Sequence, residues 1–151
     1  MSQQRPTLLK IIICFCLTLS VASNAECQKA GKEDVPHGAN MTVELAEQKV
    51  SRLFGTVLFP NRESAGDIVI ELYRRAGKQS VQETMKQSRL TACITENDGK
   101  FSFPELQPGR YLLRVGIRRP AGINELYVPV ILKSDGPYRT GGLTLTLLLG
   151  T

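Results

Sequence analysis

Tryptophan is absent from this chain, aromatic residues make up 6% of it, and it carries one histidine, His37. Each shortage excludes something. Without Trp, any aromatic platform for stacking a sugar must come from tyrosine, and Tyr73, Tyr127 and Tyr138 are the candidates, each with a competing half-buried structural role. A lone histidine supplies neither paired imidazoles for moving protons nor, with the cysteines, the four ligands of a structural zinc site. No base and nucleophile can be paired from the remaining residues, so neither catalysis nor a cofactor nor a metal is expected.

Long hydrophobic runs are also missing. Crossing a bilayer takes roughly 20 apolar residues, and the longest run, 11–22, falls short of that. It follows Arg5 and Lys10 and precedes Ser23, Asn24 and Ala25, small residues of the kind a signal peptidase cuts after. This predicts a signal peptide over 1–25, no transmembrane span in the mature protein, and a periplasmic, secreted or cell-surface location. Retention of the run as an N-terminal anchor is the competing reading. Glu26 before Cys27 is the wrong chemistry for a lipobox.

Positive charge is modest once the signal is gone. Losing Arg5 and Lys10 takes the formal charge from +5 to +3, which gives nucleic-acid binding little support. The same cut removes Cys14 and Cys16 and leaves Cys27 and Cys93, an even pair in an oxidising compartment. A disulfide between them is expected, worth about 4 kcal/mol in the chain-entropy picture; two separate thiols, with Cys93 filling core space, is the alternative. About 126 residues remain, enough for one domain and too few for two.

What is present is strand and turn chemistry. Residues 26–49 are polar and read as a leader or linker, although Met41, Val43 and Leu45 alternate as a short strand would. Asn40-Met41-Thr42 fits the N-glycosylation pattern, for which chance is the favoured explanation. From 50–59 the chain is rich in β-branched and aromatic residues around Gly55, whose missing side chain permits a bulge or a close strand. Over 67–74, Ile68, Ile70 and Leu72 alternate with Val69, Glu71 and Tyr73, predicting one face in a core and one half wet. The 75–89 segment is polar and rich in Gln and Lys, readable as a long hairpin excursion or a short helix.

The centre of the chain carries the strongest signal. Asn97, Asp98 and Gly99 tolerate positive φ and predict a hairpin between the run ending at Thr95 and the one beginning at Lys100. Pro108 and Gly109 then set a second turn, after which Tyr111, Leu113, Val115 and Ile117 alternate. Leu126, Val128, Val130 and Leu132 alternate again, as do Leu143, Leu145, Leu147 and Leu149. About seven short strands with turn signals between them argue for an all-β sandwich of two sheets over residues 50–151.

These residues resemble a known family. Phe54-Gly55-Thr56-Val57, then Ile68-Val69-Ile70-Glu71-Leu72, then Thr95 to Phe103 followed by Leu106 to Val115 are similar to the core motif of the carboxypeptidase regulatory-like domain. The match covers 53–149. The resemblance implies an immunoglobulin- or prealbumin-like Greek-key sandwich, related to carbohydrate-binding-like folds, with Gly55, Asn97, Asp98, Gly99, Pro108 and Gly109 in structural turns. It implies an exported, non-catalytic binding or accessory module with a polysaccharide or an envelope protein as partner. A structural role through edge-strand contacts is the second reading. A transthyretin-like hydrolase is the third, because Tyr138 and Arg139 superficially resemble that enzyme's C-terminal signature.

Two clusters stand out as sites. Glu96, Asn97 and Asp98 could ligate calcium, but turn chemistry accounts for them. Arg110, Arg114 and Arg118 fall four apart on one strand face and predict an exposed row able to grip anions, unless the row is a solvated face paired with carboxylates such as Glu71.

Overall fold

A computed structural model of the chain describes residues 28–31, 42–117, 123–134 and 141–149. The expected signal segment 1–25, Cys27, His37, Asn40, Arg118 and Tyr138 lie outside the described residues. The fold is an all-β sandwich. In chain order its elements are β1 (Gln28–Lys29), β2 (Thr42–Glu44), β3 (Gln48–Val50), β4 (Leu53–Leu58), β5 (Ile68–Arg74), α1 (Val81–Met85), β6 (Thr91–Ile94), β7 (Lys100–Phe103), β8 (Gly109–Ile117), β9 (Ile123–Leu132), β10 (Leu143–Thr146) and β11 (Leu148–Leu149). The larger sheet runs β1-β6-β5-β8-β9, with β2, β3 and β11 each pairing to a stretch of β9; the smaller runs β10-β4-β7.

Alternation decides what fills the space between the sheets. Ile68, Ile70 and Leu72 of β5, Tyr111, Leu113 and Val115 of β8, and Leu126, Val128 and Val130 of β9 face inward and meet Leu53, Val57, Phe101, Phe103, Leu143 and Leu145 of the small sheet. Gly55 lies where β10 runs parallel against β4, opposite Leu143. A Cβ there would stand 2.2 Å from the Leu143 carbonyl oxygen, so only glycine allows this approach.

The turn at 97–99 is not a hairpin. β6 pairs with β5 and β1 in the large sheet, whereas β7 pairs with β4 in the small one, so the turn carries the chain from one layer to the other. The next connection, through Pro104 and Pro108, carries it back to β8. The turn residues do what their chemistry allows: Gly99 takes φ +73° and the Asp98 carboxylate accepts from the Lys100 amide at 3.0 Å. A reversal of direction is what the sequence encodes locally; which sheet receives the returning strand is set by the burial of Phe101 and Phe103.

Other differences follow from packing. Residues 42–49, read as the end of a polar leader, form β2 and most of β3, which pair parallel with β9, and β3 ends on Val50 in the core. The 75–89 excursion between the antiparallel β5 and β6 contains α1, opened by a capping box in which Ser80 and Glu83 satisfy each other's backbone amides. These hydrogen bonds hold the Glu83 carboxyl below the usual carboxylate range. The far face of β5 is not half wet: Val69 packs with Ala30, Ala92 and Ile94, while Tyr73 packs with Leu112, Tyr127 and Val81 of α1.

Candidate functional site

Two polar features occupy the outer face of the large sheet. The first grows from a repeated tripeptide. Glu71-Leu72-Tyr73 on β5 and Glu125-Leu126-Tyr127 on β9 each bury their leucine inward, so each glutamate and tyrosine stands on the outer face. Between them runs β8, with Arg114 directly opposite Glu71 on one side and Tyr127 on the other.

Arg114 joins the two halves. Its Nε and Nη2 donate to the two Glu125 carboxylate oxygens at 3.0 and 2.8 Å, and its Nη1 donates to Glu71 Oε2 at 3.1 Å. Arg89 donates to the other Glu71 oxygen at 2.7 Å and to the Gly31 carbonyl at 2.8 Å. The hydroxyls of Tyr73 and Tyr127 donate to Glu71 Oε2 and Glu125 Oε2, each at 3.0 Å. Two guanidinium groups meet two carboxylates, so the cluster is neutral and its carboxylates are well supplied with donors.

The electrostatics follow from that geometry. Burial, and then the charge and hydrogen bond of Glu71, push the Tyr73 phenol up to about 12; burial and Glu125 do the same for Tyr127. Burial alone would weaken the hold of Arg114 on its proton, but Glu125, with Tyr127 and Glu71 adding to it, raises the guanidinium above its ordinary value. No member of this set is a free base or nucleophile.

The arginines therefore do not form an exposed row. Arg114 is turned into the cluster, its side chain 16% exposed, because two carboxylates on neighbouring strands outbid water for it. Glu71 is the paired carboxylate of the competing reading. Tyr73 and Tyr127 likewise do not serve as stacking platforms, since both rings are buried.

The second feature takes up Arg110, the described member of the row that stays near solvent. Cross-strand register sets Arg110 of β8 opposite Ile131 of β9, and Ile131 opposite Lys49 of β3, so a guanidinium and an ammonium flank an isoleucine on one rank. The rank opens into a groove of about 530 Å³ lined also by Glu47, Pro108, Gly109, Leu132 and Lys133. Arg110 Nη1 donates to Glu47 Oε2 at 3.0 Å, with both side chains more than a third exposed. Sequence reasoning found Arg110 but missed Lys49 and Lys133. The alternation of Val43 and Leu45 was the signal that this region joins the sheet.

A larger notch of about 590 Å³, lined by Asp67, Thr95, Glu96, Asn97 and Asp98 among others, lies at the crossing between the sheets. Of its acids, Asp98 is engaged in the turn. Hydrogen bonds from Lys100, reinforced by its charge, hold the Asp98 carboxyl below its ordinary value, and the Thr95 hydroxyl donates to the Ala65 carbonyl. Among the described residues, no group of three or more His, Cys, Asp or Glu converges as metal ligands would.

No family model matches the chain, and neither does any curated protein. Among solved structures it is similar to a hydroxyquinol 1,2-dioxygenase from Pseudomonas putida DLL-E4, at 11% identity and a TM-score of 0.39 over 74% of this chain. It is also similar to a catechol 1,2-dioxygenase from Pseudomonas arvilla C-1, at 10% identity and a TM-score of 0.37 over 80% of this chain. The chain spans about three fifths of the length of each, 60% and 61%. These structures are of enzymes, whereas the expectation was a non-catalytic module that binds polysaccharide or an envelope protein, or that assembles through its edge strands; that expectation is not carried forward. Likeness at this level brings no reaction, metal or substrate to this chain. Among the described residues, no helix is long and apolar enough to cross a membrane.

Proposed function

We propose that the chain recognises a small anionic ligand in the groove of Lys49, Arg110 and Lys133. The observation that carries this reading is the cross-strand rank Arg110, Ile131, Lys49, which sets two cations on either side of an apolar residue at an open groove. Among the described lining residues, the cations Lys49 and Arg110 face the one carboxylate of Glu47, so an incoming anion meets a positive field. Arg110 lies directly after Gly109 at the start of β8, where the Pro108 turn fixes the strand's entry and so the root of the guanidinium. Isothermal calorimetry with inorganic phosphate and citrate tests the idea: both should bind the wild-type chain, and Arg110→Gln should weaken them at least tenfold while leaving the melting temperature within a few degrees. Absence of any heat with either anion overturns it.

We further infer that the protein is exported after cleavage behind Ala25 and that Cys27 and Cys93 form a disulfide. Support for the bond comes from β1, in which Lys29 stands opposite Cys93 and only Gln28 separates it from Cys27. Mass mapping of the non-reduced, exported protein should give an N-terminus at Glu26 and one cross-linked peptide holding both cysteines; an uncleaved N-terminus or two alkylatable thiols would refute the respective half. Kinship with the carboxypeptidase regulatory-like domains is proposed on the seating of the motif: Gly55 at the β4–β10 contact, Gly99 at positive φ, and the Tyr111 hydroxyl donating to the Gln107 carbonyl. A solved member in which the turn equivalent to 97–99 joins strands of one sheet would count against it.

A further inference from the structure

We propose that Glu47 is a built-in stand-in for the ligand, and that the ligand of the groove is an organic dicarboxylate whose carboxylate takes Glu47's place on Arg110. This rests on the anion reading of the groove and specifies it. A carboxylate already occupies the guanidinium, through a single contact from Glu47 Oε2 to Nη1 at 3.0 Å. The side chains are 39% and 37% exposed, and a pair so placed in water contributes little. A carboxylate arriving from solvent can instead grip the planar guanidinium through both oxygens, which is the stronger arrangement.

Glu47 is free to leave while its backbone stays in place. It belongs to the connection 45–47 between β2 and β3, and that connection is pinned on both sides: the Leu45 amide donates to the Tyr127 carbonyl, and Gln48 Nε2 donates to the Ala46 carbonyl. Rotation of one exposed side chain therefore opens the site.

The rest of the rank sets the ligand's length and character. Lys49 lies two strands from Arg110, about 10 Å away at the backbone by ordinary strand spacing, and both side chains are long enough to close that distance. Between their roots Ile131 is 9% exposed and offers an apolar bed. A chain of a few methylenes with a carboxylate at each end satisfies all three, one end on Arg110, the other on Lys49, and the methylenes over Ile131. A compact anion such as phosphate reaches one cation and leaves the apolar bed wet.

Calorimetry on the full chain with glutarate, butyrate and inorganic phosphate decides it. Glutarate should bind more tightly than either of the others, Lys49→Gln should reduce glutarate to the level of butyrate, and Glu47→Gln and Glu47→Ala should each tighten glutarate about three- to fivefold. Unchanged glutarate affinity in both Glu47 variants overturns the stand-in. Phosphate binding as tightly as glutarate overturns the dicarboxylate class while leaving the anion site intact. If no anion binds the wild type or either Glu47 variant, the underlying reading of the groove fails as well.

Discussion

Replacing Arg114 by Met keeps most of the side chain's volume and removes its charge, leaving the Glu125 carboxylate with a tyrosine hydroxyl as its remaining described donor. Three charge-assisted hydrogen bonds are lost, at 3.0, 2.8 and 3.1 Å. Glu71 is cushioned because Arg89 still reaches it at 2.7 Å. Glu125 is not. Removing one partner of a buried ion pair costs about 3–5 kcal/mol, and the 16% exposure of the Arg114 side chain argues for the lower end, about 3 kcal/mol. For a domain of this size that corresponds to a melting temperature lower by about 12 °C. Urea unfolding followed by far-ultraviolet circular dichroism at neutral pH measures the loss, and one control assigns it to stranded charge. Arg114→Met combined with Glu125→Gln should be more stable than Arg114→Met alone. A loss below about 1 kcal/mol, or a larger one indifferent to that control, would refute the argument that Arg114 is the keystone of a buried ionic cluster.

The cluster also has an alkaline signature. Tyr73 and Tyr127 are neutral in the fold up to about 12 against an ordinary 10.0, so the stability they confer is full below the ordinary value and is lost as pH rises through about 12. Absorbance at 295 nm should show two phenols titrating late, and the Tyr73→Phe, Tyr127→Phe double variant should lack that step; both phenols ionising at the ordinary value would contradict the burial described. Gly99→Ala and Gly77→Ala separate backbone conformation from crowding. Both glycines take positive φ, +73° and +58°, but a Cβ at 99 would stand 2.3 Å from the Val57 carbonyl oxygen while at 77 it meets nothing within 4 Å. Gly77→Ala should cost about 1 kcal/mol and Gly99→Ala at least about 2 kcal/mol more; equal losses on urea unfolding would remove the crowding argument.

Much of the layered architecture was legible in the sequence because side-chain alternation is a local property. Ile68, Ile70 and Leu72 had to face one way whatever lay opposite them, and the same holds for Leu143, Leu145 and Leu147. The destination of a turn is not local. Residues 97–99 encode a reversal, and nothing in them distinguishes a return to the neighbouring strand from a step to the other layer. The candidate site divides on the same line. Arg110 and Arg114 belong to one strand and one face, yet the first neighbours Ile131 and the second Glu71 and Tyr127, and only cross-strand register tells them apart. The doubled Glu-Leu-Tyr was the available clue to the buried cluster: a glutamate and a tyrosine on the same face of two strands, with an arginine on a strand able to lie between them. Lys49 was hidden because β3 is three residues long and pairs parallel with a strand some eighty positions later, below the reach of any periodicity.

The small sheet draws its three strands from residues 53–58, 100–103 and 143–146, with the middle strand of the sheet coming first in the chain. Its outer members arrive separately, and the last joins by a parallel pairing that spans nearly ninety residues. Until that final strand docks, Leu53, Val57 and Phe101 stand under an unfinished roof, and partial products of synthesis keep this apolar surface open to water. Assembly of this topology is governed by long loop closures, so folding should be slow for the chain's size and completed only when the 143–146 segment is in place.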